Sequence, residues 1–521
     1  MKIGFGLWIS AALSVIFIRD CVETAVVDHS FPFIHPFHLV HVPLFFISVF
    51  LAVIVLLHFL SGEKIDKVSK ISLIFFPSII FPPLLDLVLS LISPRQVSYG
   101  YIQEDVWKNL IHSFDPFYKM EAVPPSVRIE VAIVVILAFI YIFLKRRRVF
   151  LSLAGSLLIF TVIFLYGSLP AVFVNLFVFF APLLHGFVRF LHFFSHSLAP
   201  EALTSSAGIL DDPSILIIEL FVTLFLVVVW FLRYDKEKGR ALLKNFRWTR
   251  ALHYLAMVIL GLSLYFLNTR TDDLLVFLKV TGILCAIFFA FQFAVVINDI
   301  FDIECDKISN KDRTLVLGVL DGREYLKIGF VYLVFSLLFA FLVGDYCFSI
   351  TLLSVVLSVL YSCPPFRLKR FFPLSSAFIG LEALVAFLLG QISLDKEGIL
   401  NSAYNPLWCL IFLVFFLSSN IKDLKDTQGD RQCGIYSLPV LIGEAKARKL
   451  IAFFVFLSYG MVTFFLYQTL LFKHSPVIPF LSLLFGFVSF LYILKPNAKE
   501  KIVFLMYFIF VFLLFFFLRK P

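Results

Sequence analysis

About sixteen apolar runs, each near the ~20 residues needed to cross a bilayer, dominate this chain. They are long, repeated and almost free of charge, which is the pattern of membrane-spanning helices. A β-barrel would instead show short alternating segments. Composition agrees: 61% of the 521 residues are hydrophobic, 15% are charged, and Phe occurs 68 times. A water-soluble fold has no way to hide that much apolar surface. The reading is an all-α integral membrane protein with many passes.

The net charge of +9 does not point to nucleic acid. The basic residues sit in short loops between apolar runs, as in Lys145-Arg146-Arg147-Arg148, which is the positive-inside pattern. No soluble face with interleaved basic and aromatic residues is visible. The seven cysteines are scattered singly with no CxxC pair, and read as small core residues, not a disulfide frame or zinc site. The run from Met1-Lys2 to Ile18 lacks a small-residue cleavage site and reads as a retained first helix.

The runs fall into two groups, residues 1–233 and 251–521, joined by a basic linker over 234–250. That linker is the expected domain boundary and is placed in the cytoplasm. The first group reads as about six or seven membrane helices. The second reads as nine, over about 251–268, 275–298, 325–343, 346–362, 371–392, 406–420, 446–468, 476–494 and 500–518. The loops after its second, fourth, sixth and eighth helices are the strongly charged ones and fall on one face, the cytoplasmic one.

Two of those loops carry matched acid rows. After the second helix comes Asn298-Asp299-Ile300-Phe301-Asp302-Ile303-Glu304-Cys305-Asp306. Helical spacing puts Asn298, Asp302 and Asp306 on one face, with Asp299 at its border. After the sixth helix, Asp423, Asp426 and Asp430 repeat the arrangement. Rows of carboxylates at a membrane surface repel themselves unless a cation intervenes, and hard oxygen donors suit Mg²⁺. The geometry expected is two facing rows with a diphosphate clamped between them, an arrangement that helps a diphosphate leave. Between the rows, Tyr361 to Arg370 adds a phenol with Arg367, Lys369 and Arg370, suited to phosphate oxygens. Positive-inside anchoring is the alternative for these cations, interfacial placement for Tyr361, and neutralisation of neighbouring acids for Lys425.

At these residues the sequence resembles the UbiA superfamily of intramembrane prenyltransferases. The first acid row, the following Asn310-Lys311-Asp312-Arg313, the stretch Tyr361-Ser362-Cys363-Pro364-Pro365-Phe366-Arg367-Leu368-Lys369, and Asp423 to Gly443 are similar to family signatures in order. The resemblance covers about 245–521. It implies a nine-helix bundle with a central cavity, an isoprenyl diphosphate donor, a hydrophobic acceptor that is aromatic or lipid-like, and two Mg²⁺ ions. By position it implies Asn298, Asp302 and Asp306, with Asp299, for one ion, and Asp423, Asp426 and Asp430 for the other. It casts Asp302, Asp306, Asp426, Asp430 and Tyr361 as catalytic, and Arg250, Arg367, Lys369 and Lys425 as substrate-binding. One departure is Thr314, where many members have proline after the arginine.

The first group matches no family on sight. His29, His35, His38 and His41, and separately His185, His192 and His196, cluster toward the exterior with Asp28, Asp211 and Asp212 nearby. They suggest a transition-metal site, against the simpler reading of interfacial histidines. A short amphipathic helix is expected near Trp107. Competing functions are a transporter, which wants acids at midplane where only Asp86 and Glu382 lie, and another membrane lipid-phosphate transferase, whose Asp-Gly-x-x-Ala-Arg opening is absent.

Overall fold

The computed structural model describes residues 5–27, 36–92, much of 97–122, 123–176, 212–268, 274–394, 405–468 and 477–518. Helix accounts for nearly all of it. Among the described residues the only β pairing is an isolated bridge between Phe371 and Tyr436. Eleven described helical stretches are long and apolar enough to cross a membrane. The chain is an integral, multi-pass membrane protein. It divides into two compact units at Gly239–Arg240, inside the short helix Lys236–Asn245.

The first unit contains α1 (Phe5–Val27), α2 (Pro36–Ser61), α3 (Ile65–Phe75), α4 (Phe81–Ile92), α5 (Val106–Ile111), α6 (Pro125–Arg146), α7 (Val149–Gly167) and α8 (Asp212–Tyr234). Its core is built on Ile16, Ile54, Ile65, Ile142 and Ile159, all buried. The two basic turns of this unit lie side by side. Glu63 accepts hydrogen bonds from Lys145 Nζ at 2.7 Å and Lys67 Nζ at 3.2 Å, and Arg146 Nε donates to the Leu60 carbonyl. At the other end, α5 is the short helix expected at Trp107, whose indole is exposed.

The transition-metal expectation falls mostly on residues outside those described: Asp28, His29, His35, His185, His192, His196 and Asp211, together with the side chains of His38 and Asp212. His41 bonds Tyr101 Oη at 2.8 Å, and Tyr101 in turn donates to Glu219. Among the described residues no three of His, Cys, Asp and Glu gather to hold a metal.

The second unit begins with α9, whose range Lys236–Asn245 spans the division, and continues with α10 (Trp248–Asn268), α11 (Leu274–Phe301), α12 (Ile303–Ser309), α13 (Gly322–Val343), α14 (Asp345–Ser362), α15 (Leu374–Ile392), α16 (Asn405–Ser418), α17 (Asp423–Gln432), α18 (Leu438–Ile442), α19 (Glu444–Gln468), α20 (Val477–Ile493) and α21 (Glu500–Leu518). Among the described residues, nine long helices of this unit match the nine read from hydropathy to within a few residues. The short ones, α12, α17 and α18, are polar or proline-led segments between spans.

Small residues set the helix contacts, as they do where lipid supplies no hydrophobic drive. A Cβ on Gly261 of α10 would stand 2.1 Å from the Phe387 carbonyl oxygen, and one on Gly390 of α15 would stand 2.0 Å from that of Val258. The two backbones therefore touch. Gly380 lets α15 approach the Phe412 carbonyl of α16 in the same way. These contacts fix how α15 faces the interior of the unit.

Candidate active site

Both acid rows open onto one cavity of about 340 Å³ in the second unit. Asn298, Asp302 and Asp306 line it from one side, and Asp423, Asp426 and Asp430 from the other. The first row is not one continuous helix, because α11 stops at Phe301 and α12 starts at Ile303. The i to i+4 backbone bonds nevertheless run through, from Asp302 N to Asn298 O and from Asp306 N to Asp302 O, so the shared face survives the break.

The rows meet directly. Asn310 Nδ2 donates to Asp306 Oδ1 at 2.9 Å and to Asp426 Oδ1 at 3.3 Å. Gly429 N donates to Ser309 Oγ at 3.1 Å, and a Cβ on Gly429 would collide with that hydroxyl at 2.3 Å. A disulfide joins Cys305 to Cys433, with Cα atoms 5.9 Å apart. The expectation that all cysteines are plain core residues is therefore corrected. The partners are 128 positions apart, so no short cysteine spacing advertises them, and only the convergence of the rows brings them together.

Cations answer the carboxylates. Asp302 accepts from Lys369 Nζ and from Arg367 Nη2, the latter at 2.8 Å, and Lys369 also donates to Asn298 Oδ1 at 2.9 Å. Burial would raise the Asp302 carboxyl, but Lys369 and Arg367 beside it hold it below its usual range. Asp306 lacks so close a partner. Burial pushes it up to about 6, with Asp299 and Asp302 adding to the rise against the pull of Arg313. Lys422 Nζ donates to Tyr361 Oη at 2.8 Å and stands 3.6 Å from Asp423. Ser437 Oγ donates to Asp430 Oδ2 at 2.8 Å.

Three predicted residues are placed differently. Asp299 is buried away from the cavity, bonded by Arg247, Arg313, Asn245 and Tyr325. With four donors upon it, it anchors α9 and α13 to α11. Arg367 does not line the cavity; it bridges Asp302 and the Phe301 carbonyl. Lys425 does not line the cavity; it pairs with Glu500 at 3.3 Å. Arg250 does line the cavity and also pairs with Glu500, at 2.8 Å. Residues that sequence reasoning passed over as site members are Lys422, Asn310, Arg247, Arg313 and Glu500. Of these, Asn310 and Arg313 stood in a family-like stretch, while Glu500 opens the last helix with no local signal.

Below this polar mouth the walls turn apolar and aromatic. His253 and Tyr254 of α10, Phe415 of α16, and Phe504 and Tyr507 of α21 line one side, with ring centroids 4.4 Å apart for His253 and Phe415 and 5.5 Å for His253 and Tyr507. Phe510 lies ten residues into α21 from Glu500, or about 15 Å of helix.

A sequence model of the UbiA prenyltransferase family matches residues 255–516. The chain belongs to the UbiA prenyltransferase family. The match lies within the second unit. Among similar UbiA relatives, digeranylgeranylglyceryl phosphate synthase of Thermococcus gammatolerans is 33% identical over 163 residues, covering 30% of this chain and 55% of that protein. The same enzyme of Methanosarcina mazei is 34% identical over 29% of this chain and 50% of its own. The bacteriochlorophyll synthase 33 kDa chain of Cereibacter sphaeroides is 30% identical over 29% and 51%. The chain thus spans about half the length of these relatives. A solved UbiA homolog from Archaeoglobus fulgidus bound to GPP and Mg²⁺ superposes with a TM-score of 0.44 at 19% identity, over 54% of this chain and 98% of that one.

Proposed function

We propose that the second unit transfers a prenyl group from an isoprenyl diphosphate to an acceptor dissolved in the membrane, releasing diphosphate. The observation that carries this is the bridge from Asp306 through Asn310 to Asp426, which draws both acid rows to one mouth above an aromatic cavity. The donor's diphosphate sits at the mouth, where Arg250, Lys369, Lys422 and Arg313 face it. Its tail lies along the aromatic walls.

The donor set at the mouth fits Mg²⁺, because every side-chain ligand it offers is oxygen and that ion needs few carboxylates beside water and phosphate oxygens. Asn298, Asp302 and Asp306 would hold one ion, and Asp423, Asp426 and Asp430 a second. Bound there, Mg²⁺ neutralises the charge that gathers on the leaving diphosphate. Arg250, Lys369 and Lys422 act on the same charge from the cavity wall, and Lys422 is oriented by its bond to Tyr361. As the allylic C–O bond breaks, its electron pair goes to the diphosphate. The faces of Tyr254, Phe415 and Tyr507 offer cation–π attraction to the electron-poor carbon, and the apolar walls around it disfavour water.

We assign the mouth to the cytoplasmic face from the basic loops beside it, and residues 251–521 to the catalytic domain, with 1–233 as a separate membrane domain joined through 234–250. Isolated protein in nanodiscs, given geranylgeranyl diphosphate and a panel of hydroxylated acceptors, should release diphosphate only with Mg²⁺ present. Asp426→Asn should remove that activity by orders of magnitude at unchanged yield. Full activity in Asp426→Asn, or activity indifferent to EDTA, defeats the proposal.

A further inference from the structure

One acid in the cavity is not used by the reading above. Glu382 lies mid-way along α15, eight residues in from Leu374, and faces the cavity. It is held by two serines of α14: Ser354 Oγ donates to Oε2 at 2.8 Å and Ser358 Oγ to Oε1 at 3.2 Å. Ser358 lies three residues before Tyr361, and Glu382 four residues after Phe378, whose ring faces that of Tyr361 with centroids 6.4 Å apart. The carboxylate is therefore about one helical turn, roughly 5 Å, below the Tyr361 layer. With a diphosphate at the mouth, that is the depth of the donor's first carbons.

An acid inside a span is costly. A structural role does not require the charge, since a glutamine would meet both serines, its amide oxygen accepting from one and its NH2 donating to the hydroxyl oxygen of the other. Each carboxylate oxygen receives one serine and has a further lone pair to offer. The walls around it are apolar or phenolic: Tyr254, Phe291, Phe378 and Ile379. A carboxylate with spare acceptor capacity, beside the place where a carbon becomes electrophilic, is suited to take a proton.

We propose that Glu382 is the proton acceptor for a hydroxyl-bearing acceptor substrate; this rests on the prenyl-transfer reading. The acceptor's O–H donates to Glu382. The oxygen forms a bond to C1 of the donor as the C1–O bond to diphosphate breaks. The electron pair leaves on diphosphate, and the hydroxyl proton goes to Glu382, which later returns it to solvent. The nearest titratable neighbour is the Tyr254 phenol, and Arg250, Lys422 and Tyr361 in turn face Tyr254 from neighbouring elements. An acceptor whose nucleophile is already a carboxylate has no proton to give, so Glu382 serves an alcohol and not an acid.

The test uses full-length protein in nanodiscs with Mg²⁺, geranylgeranyl diphosphate, and two acceptors: a long-chain monoalkylglycerol and the fatty acid of equal length. Glu382→Gln should cut kcat for ether formation about a hundredfold or more, the range of a lost general base. Its affinity for a non-ionising thiolodiphosphate donor analogue and its melting temperature should match wild type. Glu382→Asp should recover part of the rate. Ether formation by Glu382→Gln within threefold of wild type overturns the inference, as does a wild type that esterifies the fatty acid and ignores the alcohol. A wild type that binds no donor analogue with Mg²⁺ defeats the prenyl-transfer reading itself, and this inference with it.

Discussion

Asp302 and Lys369 form a buried ion pair at the mouth, with side chains 14% and 6% exposed. Truncation of one partner separates what the pair does for the fold from what it does for substrate. In Asp302→Ala, Lys369 keeps only Asn298 Oδ1, and Arg367 keeps only the Phe301 carbonyl. An uncompensated charge left buried costs about 3–5 kcal/mol, against 1 or less for an exposed pair. Because Asp302 is partly open to the cavity, the lower end applies, about 3 kcal/mol. That corresponds to a fall in apparent melting temperature on the order of 10 °C. Removing the orphaned charge as well, in Asp302→Ala/Lys369→Met, should restore most of the lost stability, since an apolar pair replaces a buried ion pair at little net cost. Prenyl transfer should stay absent in both, because the double variant lacks a carboxylate for the cation and an ammonium for the diphosphate. Melting followed by intrinsic fluorescence in detergent, beside diphosphate release with and without Mg²⁺, reads both quantities. A single variant that melts like wild type refutes the buried-pair argument. A double variant that regains transfer refutes the role given to Asp302.

Other consequences are open to direct measurement. Asp306, raised to about 6, is favoured in its neutral form by the fold, so its charge works against stability as pH rises through that value. Asp306→Asn should therefore melt higher than wild type at pH 7.5 while losing transfer; equal melting would show the carboxyl is not penalised. In wild type, activity should fall as pH drops from about 7 through about 6, where Asp430 and then Asp306 take up protons, and added Mg²⁺ should move that limb to lower pH, because proton and cation compete for the same carboxylates. Reduction of Cys305–Cys433 should raise the Mg²⁺ concentration for half-maximal activity several-fold, since it unties the two rows; an unchanged requirement would show that Asn310 and Ser309 suffice. Gly390→Ala should sharply lower the yield of folded protein, as its Cβ meets the Val258 carbonyl oxygen, and normal yield would refute the close helix contact.

Much of this architecture can be read in the sequence because lipid imposes two simple requirements, length and apolarity. The long helices among the described residues of the second unit follow from hydropathy alone, and the charged loops between them carry Asn298, Asp302, Asp306, Asp423, Asp426 and Asp430 to one mouth. Periodicity has nothing to say about which carboxylate faces inward when several alternate. Asp299 is one residue from Asn298 yet turns to Arg247 and Arg313, and that choice is made by cations 52 and 14 positions away. Lys425 looked like a substrate contact by its neighbours in the chain; Glu500, from the last span, takes it instead. Lys422 carries no signal of its own in the sequence, because its bond to Tyr361 depends on α15 packing against both α14 and α16. The first unit was harder because its polar groups, such as Glu219 with Tyr101, pair across distant segments without any repeated spacing.

The bond between Cys305 and Cys433 has a topological consequence. It makes the chain between them a covalent ring that contains α13, α14, α15 and α16. The ring closes when α17 has arrived beside α12. Any single proteolytic cut inside it leaves two pieces that travel together until a reductant is added. Electrophoresis with and without dithiothreitol after limited digestion thus counts the molecules in which α12 and α17 have met.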